Sequence, residues 1–198
     1  MLALLEQCGA LQRGHFVLSS GLHSDRYCQC ARLFEHPDLA GRVARAMAGR
    51  LRETAGVGRI DTVLAPALGA IVWGYELARA LGVPSVFAER RPGEPFELRR
   101  GFALRPGDRV VLAEDVVTTG GSVLELVPIV EAAGAEVAAI ASVVDRSRGA
   151  FAPRVPFVAL AALEFETYEP DGLPEDLAAM PVIKPGSRAT GTREGVHG

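Results

Sequence analysis

Apolar runs at residues 62–65, 85–88, 110–113, 136–144 and 157–160 have the length and continuity of strands buried on both faces. Helical stripes stand between them. Pro37 occupies a favoured first helical position, and Leu39, Val43, Met47 and Leu51 recur every four residues over a helix that ends near Gly56. Residues 71–81 form a second helix closed by Gly82, and 123–133 a third, kinked at Pro128 and closed by Gly134. Leu2, Leu4, Leu5 and Leu11 predict a short amphipathic helix at the start, shortened by Gly9 and Gly14. Strands alternating with helices imply an α/β fold, a central mostly parallel sheet flanked by helices, with ligands at the carboxyl edge.

Three stretches break this rhythm. Residues 15–29 are polar and aromatic around Ser20-Gly21 and predict two short strands joined by a turn at 20–24, a small N-terminal hood over about residues 1–32. Residues 89–101 carry Arg90, Arg91, Arg99 and Arg100 among Pro and Gly, which suits a mobile flap meeting an anion or a plain solvated hairpin. From about Lys184 the Gly, Ser, Thr and Arg content predicts a disordered tail, so one domain is expected over 1–183 and a tail over 184–198.

Composition removes several function classes. A hydrophobic content of 48% over 198 residues supports a globular core, and a net charge of −3 gives no field for nucleic acid. Arg42, Arg45, Arg50 and Arg52 intersperse the stripe of Leu39, Val43, Met47 and Leu51 as a solvated face. No apolar stretch reaches membrane-spanning length, and Glu6 stands where a basic leader segment would begin, so neither export nor a membrane is expected. Cys8, Cys28 and Cys30 form no C-x-x-C pair, which favours reduced thiols in a cytoplasm over a disulfide framework or a zinc site with His23.

Candidate chemistry concentrates at residues 110–122. The apolar run Val110-Val111-Leu112-Ala113 ends in Glu114 and Asp115, then in Val116-Val117-Thr118-Thr119-Gly120-Gly121-Ser122. A glycine-rich turn at a strand end with a helix behind it suits a phosphate dianion, with Thr118, Thr119 and Ser122 adding hydroxyl donors. Carboxylates aimed at that phosphate would repel it, so both are expected to face away, toward a neutral diol such as a ribose pair. A capping box formed by Ser122 and Glu125 is the plainer reading of the turn.

These residues resemble the phosphoribosyl-pyrophosphate (PRPP) signature of the type I phosphoribosyltransferases, four hydrophobics, two acids and a Thr/Gly-rich loop. The resemblance implies that fold, with the hood described above. It gives Glu114 and Asp115 the ribose hydroxyls and residues 116–122 the 5′-phosphate. It also implies that Ala67, Leu68 and Gly69 bind pyrophosphate through backbone amides, without the Lys that other members carry there. In the flap, Arg90 matches a PRPP-binding Lys, Arg91 adds a second cation, Glu89 stands where Arg is usual, and no His occurs. Glu114, Asp115 and Arg90 are thereby the catalytic candidates.

The stretch Phe16-x-Leu18-x-Ser20-Gly21-x-x-Ser24 looks like the base-binding segment of the orotate phosphoribosyltransferases. By position Ser19, Ser20, Gly21, Tyr27, Cys28 and Thr118 would lie near the base, with Ser19 in place of a Lys, and Arg146 of Asp145-Arg146 would clamp an orotate oxygen. The implied reaction transfers the 5-phosphoribosyl group from PRPP to orotate, giving orotidine 5′-monophosphate and pyrophosphate. It uses Mg²⁺ carried mainly by PRPP with no dedicated protein site, in a homodimer whose flaps reach the neighbouring site. A purine or xanthine phosphoribosyltransferase shares the signature with another hood. A PRPP-sensing regulator would need a nucleic-acid element that composition does not offer.

Overall fold

The structure is a computed structural model and describes residues 1–18 and 20–185. The chain opens with α1 (Leu2–Gln7), β1 (Leu11–Val17), β2 (His23–Cys28), α2 (Ala31–Phe34), α3 (Pro37–Glu53) and β3 (Thr62–Pro66). It continues through α4 (Ile71–Leu81), β4 (Ser85–Glu89), β5 (Glu97–Leu98), β6 (Arg109–Val117), α5 (Gly121–Leu124) and α6 (Val127–Ala132). The last elements are β7 (Glu136–Asp145), β8 (Phe157–Ala162), β9 (Thr167–Tyr168), α7 (Glu175–Ala178) and β10 (Val182–Ile183). Two compact units result. The larger takes residues 1–11 and 28–164, and the smaller takes 12–27 with 165 onward.

In the larger unit a six-stranded sheet has the order β5-β4-β3-β6-β7-β8, parallel throughout except for β5, which folds back antiparallel on β4. Alternate residues serve opposite faces. Leu64, Val110, Leu112 and Ile140 cluster with Val123, Leu126 and Val130 beneath α5 and α6. On the other face α4 lies so close to β3 that a Cβ built on Gly74 would sit 2.8 Å from the Ala65 Cβ.

Several boundaries differ from the sequence reading, each for a local reason. Leu11 begins β1 and does not extend α1, because Gly9 enters the left-handed region (φ +68°) and ends the helix. The stripe of α3 stops at Glu53, where Thr54 turns extended, before Gly56. The predicted kinked helix 123–133 is two short helices, with Pro128 in the first turn of α6, where its missing N–H costs nothing. Ser122 caps nothing: α5 starts after Gly120, itself left-handed at φ +76°.

The smaller unit is a four-stranded sheet, β10-β1-β2-β9, with β10 parallel to β1 and β9 antiparallel to β2. The β1–β2 connection spans residues 18–22, earlier than the expected turn, with the Leu18 N–H donating to the Leu22 carbonyl at 2.8 Å. Phe16 and Tyr27 pack at 5.5 Å between ring centroids, and the Ser24 hydroxyl donates to the Glu166 carbonyl at 2.9 Å. Its C-terminal strands, β9 and β10, lie beyond the last apolar run at residues 157–160, where the sequence pattern marks no strand. Of the expected tail, residues 186–198 lie outside the described residues.

The contact at Gly74 carries a prediction. Gly74→Ala gains about 1 kcal/mol of helix propensity but overpacks a rigid neighbour, at about 1–3 kcal/mol. The net expectation is a lower urea midpoint; a raised one would show that α4 lifts from the sheet freely.

Candidate active site

The order in which successive strands are added to the larger sheet reverses between the parallel neighbours β3 and β6. From β3 the chain moves through α4 to β4 on one side, and from β6 through α5 and α6 to β7 on the other. The loops after these neighbouring strands therefore diverge to opposite faces and leave a crevice at their carboxyl ends, where open α/β sheets hold ligands.

Both candidate loops stand at that crevice. Residues Glu114 and Val116 to Ser122 line a cavity of about 240 Å³, with Glu125 completing its wall. The Gly121 N–H leans on the Thr119 hydroxyl at 3.4 Å. Gly120 has no room for a side chain, since a Cβ there would fall 2.0 Å from the Phe151 ring. Across the crevice the Asp115 carboxylate lies 3.7 Å from the position a Cβ would take on Gly69. Ala67 is tied to β4 by its N–H to the Ala88 carbonyl at 2.8 Å, the Ala67–Leu68 peptide is cis, and Leu68 is 82% exposed.

The two acids do not face away together. β6 runs past them to Val117, so successive side chains point to opposite sides: Glu114 lines the phosphate-sized cavity and Asp115 faces the 67–69 loop. Charge explains how Glu114 is tolerated there. Burial, then the neighbouring Asp115 charge, push its carboxyl up to about 8, so at neutral pH it keeps its proton and can donate a hydrogen bond. The Asp115 carboxylate accepts the Val116 N–H at 2.8 Å, and its carbonyl accepts from the Ser142 hydroxyl at 3.3 Å and the Cys30 thiol at 3.8 Å.

Comparison with known proteins gives the family of the chain. The family model described as "Phosphoribosyl transferase domain" matches residues 29–169. The chain belongs to the phosphoribosyltransferase family. Within it, the orotate phosphoribosyltransferase of Novosphingobium aromaticivorans is 52% identical over 180 residues, 91% of this chain and 92% of that one. That of Rhizorhabdus wittichii is 48% identical over 189 residues, 96% of this chain and 95% of the other. The crystal structure of orotate phosphoribosyltransferase from Aeropyrum pernix superposes with a TM-score of 0.67 at 29% identity, covering 82% of this chain and 94% of that one. The family fold is thus shown, as the mostly parallel sheet flanked by helices requires.

The remaining residues singled out as a phosphoribosyltransferase site divide as follows. Arg146 follows β7, its N–H donating to the Val117 carbonyl at 2.7 Å, so Thr118 and Arg146 emerge from hydrogen-bonded neighbouring strand ends. Arg90 is engaged by Glu125 at 2.9 Å and lies 4.4 Å over the Phe96 ring, while Arg91 pairs with Glu94 at 3.9 Å. Arg100 grips Glu89 at 2.7 and 2.8 Å, and this hydrogen-bonded ion pair holds the Glu89 carboxyl below its usual range. Cys28 and Cys30 are buried and free, with sulfurs 3.9 Å apart. Ser20, Gly21 and Tyr27 belong to the smaller unit, and Ser19 lies outside the described residues. Among the described residues no group of three or more His, Cys, Asp or Glu is placed to hold a metal ion.

Glu125, Phe96 and Phe151 escaped the sequence reading. Glu125 entered it only as a capping partner, and the two aromatics sit in loops with no periodicity to mark them.

The Glu114 carboxyl gives a pH test. A group whose pKa rises on folding binds more protons folded than unfolded, so stability falls as pH climbs from about 4.5 to about 8. Glu114→Gln should be more stable than the parent above pH 8, on the order of a few kcal/mol, with the advantage vanishing near pH 4.5. Melting curves across that range check it; a pH-independent difference would show that Glu114 ionises normally.

Proposed function

We propose that this protein is an orotate phosphoribosyltransferase, transferring the 5-phosphoribosyl group of PRPP to orotate with release of pyrophosphate in pyrimidine biosynthesis. The observation that carries this is the acid pair standing between an anion-sized cavity and the 67–69 loop at one strand end. Likeness to relatives so named, over nine-tenths of the chain, supports orotate as the base.

As the C1–O bond to pyrophosphate breaks and a bond from the orotate ring nitrogen forms, positive charge gathers on the ribose. The Asp115 carboxylate favours that charge, while protonated Glu114 hydrogen-bonds without repelling the 5′-phosphate. Val116 to Ser122 hold the phosphate through backbone and hydroxyl donors; Ala67, Leu68 and Gly69 offer amides to the leaving group, joined by Arg90 and Arg91. No side-chain nucleophile is needed, and positioning supplies much of the rate.

Mg²⁺ would be carried mainly by the PRPP oxygens, and the Asp115 carboxylate facing the 67–69 loop is the group that would steady it, directly or through water. When bound it neutralises charge on the leaving pyrophosphate. Arg146 and Thr118 are proposed for the orotate oxygens, with Cys28, Ser19, Ser20, Gly21 and Tyr27 as the further base contacts expected from the sequence. A cytoplasmic location agrees with three free buried cysteines, and among the described residues no helix is long and apolar enough to cross a membrane.

Orotate-dependent pyrophosphate release is the deciding assay. Asp115→Ala should lower kcat/KM by about 100-fold or more, and Arg146→Ala should raise the orotate KM by about 10-fold or more while sparing that for PRPP. Purine-dependent release with none from orotate would replace the proposed base. A homodimer is supported by Val72 and Tyr75, 48% and 61% exposed and three residues apart on one face of α4, with Leu68, 82% exposed, in the loop that precedes the helix. Sedimentation equilibrium should return twice the chain mass, and a monomer at all concentrations would refute the assembly.

A further inference from the structure

Glu125 occupies an unexpected place for a carboxylate. It lines the phosphate-sized cavity beside Thr118 to Ser122, and also the groove of about 580 Å³ under the flap segment from Arg90 to Pro95. It is thus a wall common to both spaces. An acid on the rim of an anion site costs repulsion unless a cation neutralises it, and here Arg90 does so.

The Arg90 geometry is specific. Nη1 donates to both Glu125 oxygens, at 2.9 and 3.2 Å, and the guanidinium sits 4.4 Å over the ring of Phe96. Phe96 is buried in the core cluster, so the cation rests on a fixed platform and is not a freely swinging surface side chain. The ion pair itself is nearly half exposed at each end, 44% and 45%, which makes it weak enough to break.

We propose that Glu125 acts as an internal surrogate for substrate phosphate, holding Arg90 at the cavity rim until PRPP takes it over by exchange. This rests on the PRPP reading of the site. Glu125 is then a positioning residue that sets PRPP affinity by competition: the substrate must win Arg90 from a carboxylate already in place, and on product release the carboxylate recaptures it. Arg91, paired with Glu94 inside the flap, is not coupled to the cavity wall in the same way.

The test is a double-mutant cycle on PRPP binding, measured by calorimetry with Mg²⁺ at low salt, where screening of exposed charges is least. Glu125→Gln, with Glu125→Ala as a second variant, should bind PRPP about 2- to 5-fold more tightly than the parent. The gain should shrink in 0.5 M salt and disappear in the Arg90→Ala background. Unchanged or weaker binding by both Glu125 variants overturns the proposal. An equal gain with and without Arg90 also overturns it, because Glu125 would then act only through its own repulsion of the phosphate. A parent chain that binds no PRPP overturns the site reading together with this inference. If the parent binds PRPP and Asp115→Ala does not, a null result at Glu125 counts against the surrogate role alone.

Discussion

Two carboxyl groups side by side at the end of a buried strand cannot both be charged cheaply, and the site is built on how that conflict is settled. β6 stays paired to β7 through Val117, which sends Glu114 and Asp115 to opposite sides and into unequal surroundings. Burial keeps the proton on Glu114. Asp115 is left as the charge of the pair, facing the 67–69 loop. A site that must seat an anionic phosphate on one side and steady a cationic ribose on the other gains from this separation: neutral donor toward the anion, negative charge toward the forming cation.

The sheet makes that separation possible. Because β3 and β6 are neighbours and their following helices leave for opposite faces, two loops with distinct tasks meet at one edge without competing for space. The close approach of α4 at Gly74 and the ring of Phe151 behind Gly120 hold each loop from its own side. Flap arginines, in contrast, are held by exchangeable surface ion pairs, an arrangement suited to groups that must change partner during turnover.

Much of this was legible in the chain. Continuous apolar runs such as Val110 to Ala113 can be little other than buried strands, and the acids and glycines after them named the family motif. The helix 71–81 with its closing Gly82 was legible to the residue, since the stop signal is chemical and local. What escaped depends on partners distant in sequence. Leu11 has the same side chain in helix or strand, and only the turn at Gly9 decides. The strand roles of Thr167–Tyr168 and Val182–Ile183 arise from pairing with β2 and β1, for which a two-residue strand carries no period. The opposite facing of Glu114 and Asp115 was hidden because repulsion between charged carboxylates and a phosphate argued that both face away, whereas a proton kept on Glu114 removes that repulsion.

The Phe151 ring pressed behind Gly120 has a consequence for how such loops diversify. The depth of the anion seat is fixed by a side chain from the connection after β7, outside the signature that names the family, so motif and backing form one mould cast in two pieces. Chains that exchange one piece alone, by recombination or by design, would keep every recognisable letter of the signature and still present a cup of the wrong depth.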